Sequence, residues 1–170
     1  MKIIFLDHDG VICLQQQWGK RYSNRSKKKG ELFDPFDKKC IKTLNEILVE
    51  TNAEIVISST WREYATLEQM QDLYKKRGIL KSPIGYTPIF KEDDSFLAKE
   101  INEYKDSYQI DARIREKEIM TFVENNPEIT FWVAIDDLYM KKLKSFVHIP
   151  HITEGIKQTG IKEKILDKLK

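Results

Sequence analysis

The strongest constraint on the fold is a set of three short apolar runs, each followed at once by polar residues. The runs cover residues 2–6, 54–57 and 130–135 and are rich in Ile, Val and aromatic side chains. Apolar runs of this length are typical of strands that are buried on both faces of a parallel sheet. A shorter run at residues 147–149 predicts a further strand at an edge of that sheet.

Segments with helical periodicity separate these runs. Apolar residues at helical spacing begin at Ile41, shortly after Asp37, a candidate N-cap. Similar patterns begin at Leu67 and surround Ile119, and residues 161–169 alternate apolar and charged side chains as a surface helix does. Strands that alternate with helices of this length predict an α/β domain around a parallel sheet.

The composition bounds the size and the compartment of the protein. A chain of 170 residues is long enough for one core, so we expect a single domain over residues 1–170. Its net charge of +2 does not by itself indicate a nucleic-acid-binding protein. Cys13 and Cys40 lack CxxC spacing, which suits a reducing compartment. No apolar run approaches the roughly 18 residues of a membrane span, so we expect a cytoplasmic protein without a membrane contact.

The polar residues after the three apolar runs are candidates for an active site. They are Asp7-His8-Asp9, Ser58-Ser59-Thr60 and Asp136-Asp137. Ligands of open α/β sheets bind outside the carboxyl ends of the strands, where these clusters are expected to meet. Four carboxylates brought together repel one another unless a cation or shared protons offset the charge. Clusters that are rich in oxygen donors and not in His and Cys favour magnesium over zinc, although each cluster alone is also compatible with a helix N-cap or a turn.

These motifs resemble those of the haloacid dehalogenase (HAD) superfamily. Residues 4–11, Ile-Phe-Leu-Asp-His-Asp-Gly-Val, are similar to its first motif, a hydrophobic strand that runs into DxDG[TV]. Residues 55–58 resemble the second motif, and residues 134–137 resemble the acidic fourth motif. The resemblance spans nearly the whole chain. It implies an HAD-like, Rossmannoid three-layer α/β/α fold with a central parallel sheet and a minimal cap domain or none.

Further segments narrow the resemblance to a subgroup. They are Ser58-Ser59-Thr60-Trp61-Arg62, residues 85–88, residues 115–119 and Gly160-Ile161. These segments look like those of HAD phosphatase domains from bacteria and phages, some of which are linked to RNA repair. They are also similar to the phosphatase half of polynucleotide kinase-phosphatases.

The resemblance implies roles for the four acidic residues. Asp7 would attack phosphorus and form an aspartyl phosphate. Asp9 would act as general acid and then as general base. Mg²⁺ would be bound by Asp7, by the backbone carbonyl of Asp9 and by the Asp136-Asp137 pair. We favour Asp137 as the ligand and Asp136 as its support, although the motif alone leaves both open.

The resemblance also implies roles for small and basic residues. Gly10 would permit a tight turn over the phosphate. Ser58 would donate a hydrogen bond to a phosphoryl oxygen, with Ser59 as its neighbour or substitute. The third motif supplies a cation, which is Arg115 if Ile119 is aligned with the family and Lys117 if the distance to the acidic motif is aligned. Arg115 fits the Arg-x-x-Glu-Ile pattern of the subgroup better.

His8 departs from the small or apolar residue that is usual between the two aspartates. We expect its side chain to point away from the metal. The alternative is a titrating group close to the phosphate.

A basic segment follows the first motif directly. Residues 20–29 contain six basic side chains and no acidic one, with Trp18 and Tyr22 beside them. Basic side chains among aromatic ones suit a nucleotide or a nucleic-acid end such as a 3′-phosphate. The side chains predicted to contact the substrate are Lys20, Arg21, Arg25 and Lys27. A solvated loop is the alternative interpretation.

The chain leaves little room for a cap domain. A flap or loop at about residues 13–36 and a small charged insertion at about residues 91–113 are the two excursions from the α/β pattern. We therefore expect a Mg²⁺-dependent phosphomonoesterase with an open site for a phosphorylated, anionic substrate, and without an obligate protein partner. There are three alternatives. They are a catalytically idle HAD-fold module with a nucleic-acid-binding or regulatory role, a capless protein phosphatase, and a phosphotransferase.

Overall fold

Five parallel strands form one sheet in the order β3-β2-β1-β4-β5. The computed structural model describes residues 1–14, 32–92, 94, 97, 104 and 106–170. The strands are β1 (Lys2–Leu6), β2 (Glu54–Ile57), β3 (Gly85–Tyr86), β4 (Phe131–Asp136) and β5 (Phe146–His148). Because β1 is the central strand, the residues that follow it lie between the ends of β2 and β4.

Four α-helices accompany the strands in the described residues. They are α1 (Lys38–Thr51), α2 (Leu67–Lys76), α3 (Ser107–Asn125) and α4 (Ile161–Lys168), with short 3₁₀ turns at Thr60–Glu63 and Gly155–Lys157. The side chain of Asp37 caps α1 as predicted, because it accepts the backbone N–H groups of Lys39 and Cys40. Across these ranges, no helix has the length and apolarity that a bilayer crossing requires.

The two faces of the sheet carry separate apolar cores. Ile4 and Leu6 of β1 pack in the core that contains α1, α2 and α4. Ile3 and Phe5, which point to the opposite face, pack in the core that contains α3. Both faces are covered, which explains why the strands read as continuous apolar runs. The predicted three-layer α/β/α fold around a parallel sheet is confirmed.

The observed boundaries differ from the predicted ones in three places. β4 and β5 each lie within one residue of the predicted strands, and β3, which has only two residues, was not predicted. α3 begins at Ser107, so residues 107–113 of the charged insertion, whose limits were given as approximate, belong to this helix. Most of the rest of that insertion, and residues 15–31 of the predicted flap, lie outside the described residues.

Candidate active site

The carboxylates after β1 and β4 meet at the carboxyl edge of the sheet. The register pairs Leu6 with Ile135, so Asp7 and Asp136 follow at the same level on neighbouring strands. One carboxylate oxygen from each of Asp7, Asp136 and Asp137 lies within 4.8 Å of the others. Asp7 and Asp136 are buried, and Asp137 is partly buried. The fold thus brings together three of the four carboxylates that the sequence placed in one site.

The turn after Asp7 depends on a glycine. The carbonyl of His8 accepts the backbone N–H of Cys13 at 2.8 Å and closes the turn. Gly10 has a φ of +72°, and a Cβ at this position would lie 2.8 Å from Ile152 Cγ2 and 3.0 Å from Asp137 Oδ2. A larger residue would therefore be strained and would also displace the Asp137 carboxylate. Gly10 thus permits the tight turn, and its place over a phosphate stays a prediction.

Asp9 is the exposed member of the acidic group. Its Oδ2 accepts a hydrogen bond from the indole Nε1–H of Trp61 at 2.8 Å. Desolvation by the surrounding protein raises the pKa of Asp9 to about 6, and the negative charge of Asp7 acts in the same direction. The carboxyl group therefore exchanges a proton close to neutral pH, as a general acid and base does.

The two serines after β2 have different surroundings. Ser58 follows Ile57, the partner of Leu6 in the sheet, and its backbone N–H donates to the Leu6 carbonyl at 3.0 Å. The Ser59 side chain hydrogen-bonds to the Asp7 carboxylate. In contrast, the buried Ser58 hydroxyl has no hydrogen-bond partner among the described residues. A buried hydroxyl without a partner is costly, so Ser58 has a donor available for a ligand.

Arg115 is the cation that reaches the carboxylates. One of its terminal nitrogens lies 2.9 Å from Asp136 Oδ2 and 3.3 Å from Asp7 Oδ1, and it also donates to the backbone carbonyl of Ser58. Arg115 lies inside α3 and not at its start. Lys117 is partly exposed, and within the described part of the chain no hydrogen bond or ion pair joins it to these carboxylates. Of the two alternatives, the geometry favours Arg115.

The site holds more negative than positive charge. Burial raises the pKa of Asp136 well above its usual range, and the charge of Asp7 adds to this effect. Burial likewise raises the pKa of Asp7 and of Asp137. Burial alone would lower the pKa of Arg115, but Asp136 and Asp7 raise it above its ordinary value. Among the described residues, the Arg115 guanidinium contacts two of these four carboxyl groups, Asp7 and Asp136. A divalent cation with oxygen ligands, such as Mg²⁺, fits this donor set.

A buried ion pair next to the site was not predicted. Arg62 binds Glu118 Oε2 at 2.6 Å and donates to the backbone carbonyl of Ser59 at 2.8 Å. Glu118 also accepts the backbone N–H of Phe90 at 3.0 Å and lies 3.7 Å from Arg115. The pair therefore connects the loops after β2 and β3 to α3. The sequence feature that points to this ion pair is the Trp61-Arg62 dipeptide shortly after the second motif.

His8 packs among aromatic side chains of the core, away from Asp136 and Asp137. Its Nε2 lies 2.7 Å from the Tyr74 hydroxyl, and its ring stacks on Phe36 and contacts Trp61. Burial lowers the pKa of His8 to about 3, so the ring is neutral at physiological pH. A neutral ring in this position does not support the alternative of a titrating group beside the phosphate.

The remaining sequence candidates fall into two groups. Burial raises the pKa of the Cys13 thiol, which makes Cys13 a poor candidate for a nucleophile. Lys20, Arg21, Arg25 and Lys27, which were predicted to contact the substrate, lie outside the described residues.

The architecture and the site together define an HAD-type domain, a class whose members are mostly phosphatases. The model of a family described as the HAD domain in Swiss Army Knife RNA repair proteins matches residues 3–163, and the chain belongs to this family. Comparisons with curated proteins and with solved structures gave no match. The resemblance stated from the sequence is confirmed at the level of the family.

Proposed function

We propose that this protein is a Mg²⁺-dependent phosphomonoesterase that acts through an aspartyl phosphate on Asp7. The main support is the convergence of oxygens from Asp7, Asp136 and Asp137 within 4.8 Å. A buried arginine and a serine hydroxyl that has no partner among the described residues lie beside them. Phosphoryl transfer needs this combination, because catalysis rests on positioning and on stabilising the charge of the transferred group.

The proposed reaction has two steps, both carried by residues of the site. A carboxylate oxygen of Asp7 attacks phosphorus, the bond to the leaving oxygen breaks, and that oxygen takes the proton of Asp9. Water then attacks the phosphorus of the aspartyl phosphate while Asp9 takes its proton. The bond to Asp7 breaks, inorganic phosphate leaves, and both side chains return to their starting states. Arg115 and Ser58 either contact the phosphoryl oxygens directly or hold in place the side chains that do.

Asp7, the Asp9 carbonyl and Asp137 are the proposed ligands of Mg²⁺. When bound, the ion offsets negative charge on the phosphoryl group and on the carboxylates. Asp136 is less suited as a ligand, because its Oδ1 accepts the backbone N–H of Leu138 at 2.9 Å and its Oδ2 binds Arg115. We propose that Asp136 holds Arg115 in place.

The proposed substrates are phosphorylated nucleic-acid ends, such as a 3′-phosphate, or nucleotides. The family description refers to RNA repair. The basic segment at residues 20–29 supplies positive charge in the sequence directly after the first motif. Lys20, Arg21, Arg25 and Lys27 remain proposed contacts to the substrate.

A phosphate-release screen with and without Mg²⁺ tests the proposal. We expect the protein to release phosphate from p-nitrophenyl phosphate and from a 3′-phosphorylated oligonucleotide, and to lose this activity in EDTA. Inactivity toward both compounds and toward a wide panel of nucleotides, sugar phosphates and phosphopeptides would refute it. Oligonucleotide binding without phosphate release would support the idle module, and transfer of phosphate to an alcohol in preference to water would indicate a phosphotransferase.

Ser58→Ala is expected to lower kcat/KM for phosphate release by about 10²-fold, the usual loss for one donor to a developing charge. The free energy of unfolding should stay within about 1 kcal/mol of the wild-type value, because the hydroxyl has no partner among the described residues. Ser59→Ala is the matched control. It removes the hydrogen bond to Asp7 and the cap of the 3₁₀ turn, so we expect it to destabilise the fold by about 1 kcal/mol. Full activity of Ser58→Ala with a large loss of stability would contradict the assigned role.

A further inference from the structure

We propose that Trp61 is a positioning residue that holds the Asp9 carboxyl group in line for proton transfer to the leaving oxygen. The inference rests on the proposed function and extends it to a side chain for which the sequence analysis gave no role in the chemistry. Trp61 does not touch phosphorus or the leaving group in this scheme, and it acts through Asp9 alone.

Asp9 needs a restraint that the other carboxylates already have. Asp7 is bound by Arg115 and Ser59, and Asp136 by Arg115 and Leu138. Asp9 is exposed and lies in a turn, so its side chain can rotate unless a neighbour holds it. The indole Nε1–H of Trp61, 2.8 Å from Oδ2, supplies such a contact. The Cys13 side chain also hydrogen-bonds to Asp9, but a thiol is a weak donor.

The indole ring is itself held in one orientation. Phe33 stacks on it with ring centres 4.2 Å apart and an angle of 6° between the planes. Phe36 and His8 pack against it with ring centres at 5.6 Å and 4.6 Å. Trp61 is 6% exposed. Rotation of the ring would break these contacts, so the direction of its N–H group is fixed.

The backbone at Trp61 links the acid to the nucleophile. Its N–H donates to Ser59 Oγ at 3.4 Å, and the Ser59 side chain hydrogen-bonds to Asp7. The 3₁₀ turn at Thr60–Glu63 therefore contacts Asp7 through Ser59 and Asp9 through Trp61. A single turn thus sets the spacing of the two carboxyl groups that act in sequence.

The chemistry of the indole also selects which oxygen of Asp9 carries the proton. An indole N–H only donates, so Oδ2 accepts and the transferable proton resides on Oδ1. In the first step the bond between phosphorus and the leaving oxygen breaks, and the leaving oxygen takes the proton from Oδ1. An Asp9 side chain that rotates freely would present this proton in the correct direction for only part of the time.

Two substrates whose leaving groups differ in acidity distinguish a positioning role of Trp61 from a purely structural role. Trp61→Phe keeps an aromatic ring for the stack and removes the N–H group together with part of the ring volume, a packing loss that affects both substrates alike. We expect it to lower kcat/KM for a 3′-phosphorylated oligonucleotide by about 10-fold, because its alkoxide leaving group needs a proton. For p-nitrophenyl phosphate the loss should stay below about 2-fold, because nitrophenolate leaves without one. kcat/KM is the proper quantity because it reports the steps up to departure of the leaving group.

Trp132→Phe is the matched control. Trp132 packs against Phe5 on the opposite face of the sheet, and we expect equal kcat/KM values to wild type for both substrates. An equal loss for both substrates in Trp61→Phe would overturn the positioning role while leaving the proposed function intact. A wild-type protein that turns over neither substrate would refute the proposed function and the positioning role with it.

An NMR measurement tests the contact without the Trp61→Phe variant, in case that variant does not fold. In wild-type protein we expect a downfield indole N–H signal for Trp61, which moves upfield and exchanges faster with water in Asp9→Ala, because alanine has no acceptor for it. The indole signal of Trp132 should not change. An unchanged Trp61 signal in Asp9→Ala would overturn the proposal.

Discussion

Asp7→Asn is expected to lower the rate of Mg²⁺-dependent phosphate release by roughly 10⁴-fold or more, as the loss of a nucleophile does in other enzymes. The amide has the shape of the carboxylate but cannot attack phosphorus. The fold should persist, because Arg115 keeps its closer partner Asp136 at 2.9 Å. Burial raises the pKa of Asp7, so a neutral side chain also relieves part of its desolvation cost. We expect the free energy of unfolding to change by no more than about 2 kcal/mol.

The measurement is phosphate release together with urea unfolding, and acid quenching during turnover adds a covalent readout. Wild-type protein should retain labelled phosphate on Asp7 after the quench, and the variant should retain none. Asp72→Asn is the matched control, because Asp72 lies on the surface of α2 with its side chain 74% exposed. A folded Asp7→Asn protein with more than a tenth of wild-type activity would show that another group is the nucleophile.

Arg115→Met is expected to lower the free energy of unfolding by about 3–5 kcal/mol in EDTA at neutral pH. Arg115 is 7% exposed and contacts both Asp7 and Asp136, so its loss leaves buried carboxylates without their cation. Methionine keeps a similar length and flexibility, so the lost packing is small. Phosphate release should also fall by about 10²-fold or more, because a cation beside the phosphoryl group is removed.

The loss of stability in Arg115→Met should depend on pH and on Mg²⁺. Burial already raises the pKa of Asp136 in the folded protein above its ordinary value of 3.8, and removal of Arg115 raises it further. The folded state then binds more protons than the unfolded state between these two pKa values, so stability falls as the pH rises through that interval. We therefore expect a smaller deficit at pH 5 than at pH 8, and a partial recovery with Mg²⁺ at either pH.

Lys117→Met is the matched control for this prediction. It removes the same charge from the same helix at a partly exposed position, and we expect a change within about 0.5 kcal/mol. Urea unfolding of both variants at the two pH values, with EDTA and with Mg²⁺, is the measurement. A deficit in Lys117→Met that equals that of Arg115→Met, or one that does not depend on pH, would contradict the assignment of the cation.

The sheet and most of the acidic site could be predicted because their signals are local. β1, β2 and β4 are apolar on both faces, so their runs are visible without knowledge of the helices that cover them. The carboxylates follow these strands directly, and parallel pairing then brings Asp7 and Asp136 together. Serine at the end of β2 joins them by the same argument. The predicted positions agree with the structure for residues that directly follow a predicted strand.

The remaining features depend on contacts between distant segments. α3 buries Arg115, Glu116 and Glu118, so apolar periodicity does not reveal its first half. Buried ion pairs resemble solvated charges in a sequence, because only the partner distinguishes them. β3 has two residues, which is too short for any periodic pattern. The contact of Trp61 with Asp9 joins residues 52 positions apart, and no local pattern indicates it.

The ion pair between Arg62 and Glu118 also limits which substitutions the domain tolerates at these two positions. The two side chains are 6% and 2% exposed. Loss of Glu118 leaves the Arg62 charge buried without its partner, at a cost of roughly 3–5 kcal/mol, whereas loss of Arg62 leaves Glu118 with the more distant Arg115 at 3.7 Å. A joint exchange for two apolar residues of matching volume avoids that cost. Related proteins that lack the pair should therefore lack both of its members.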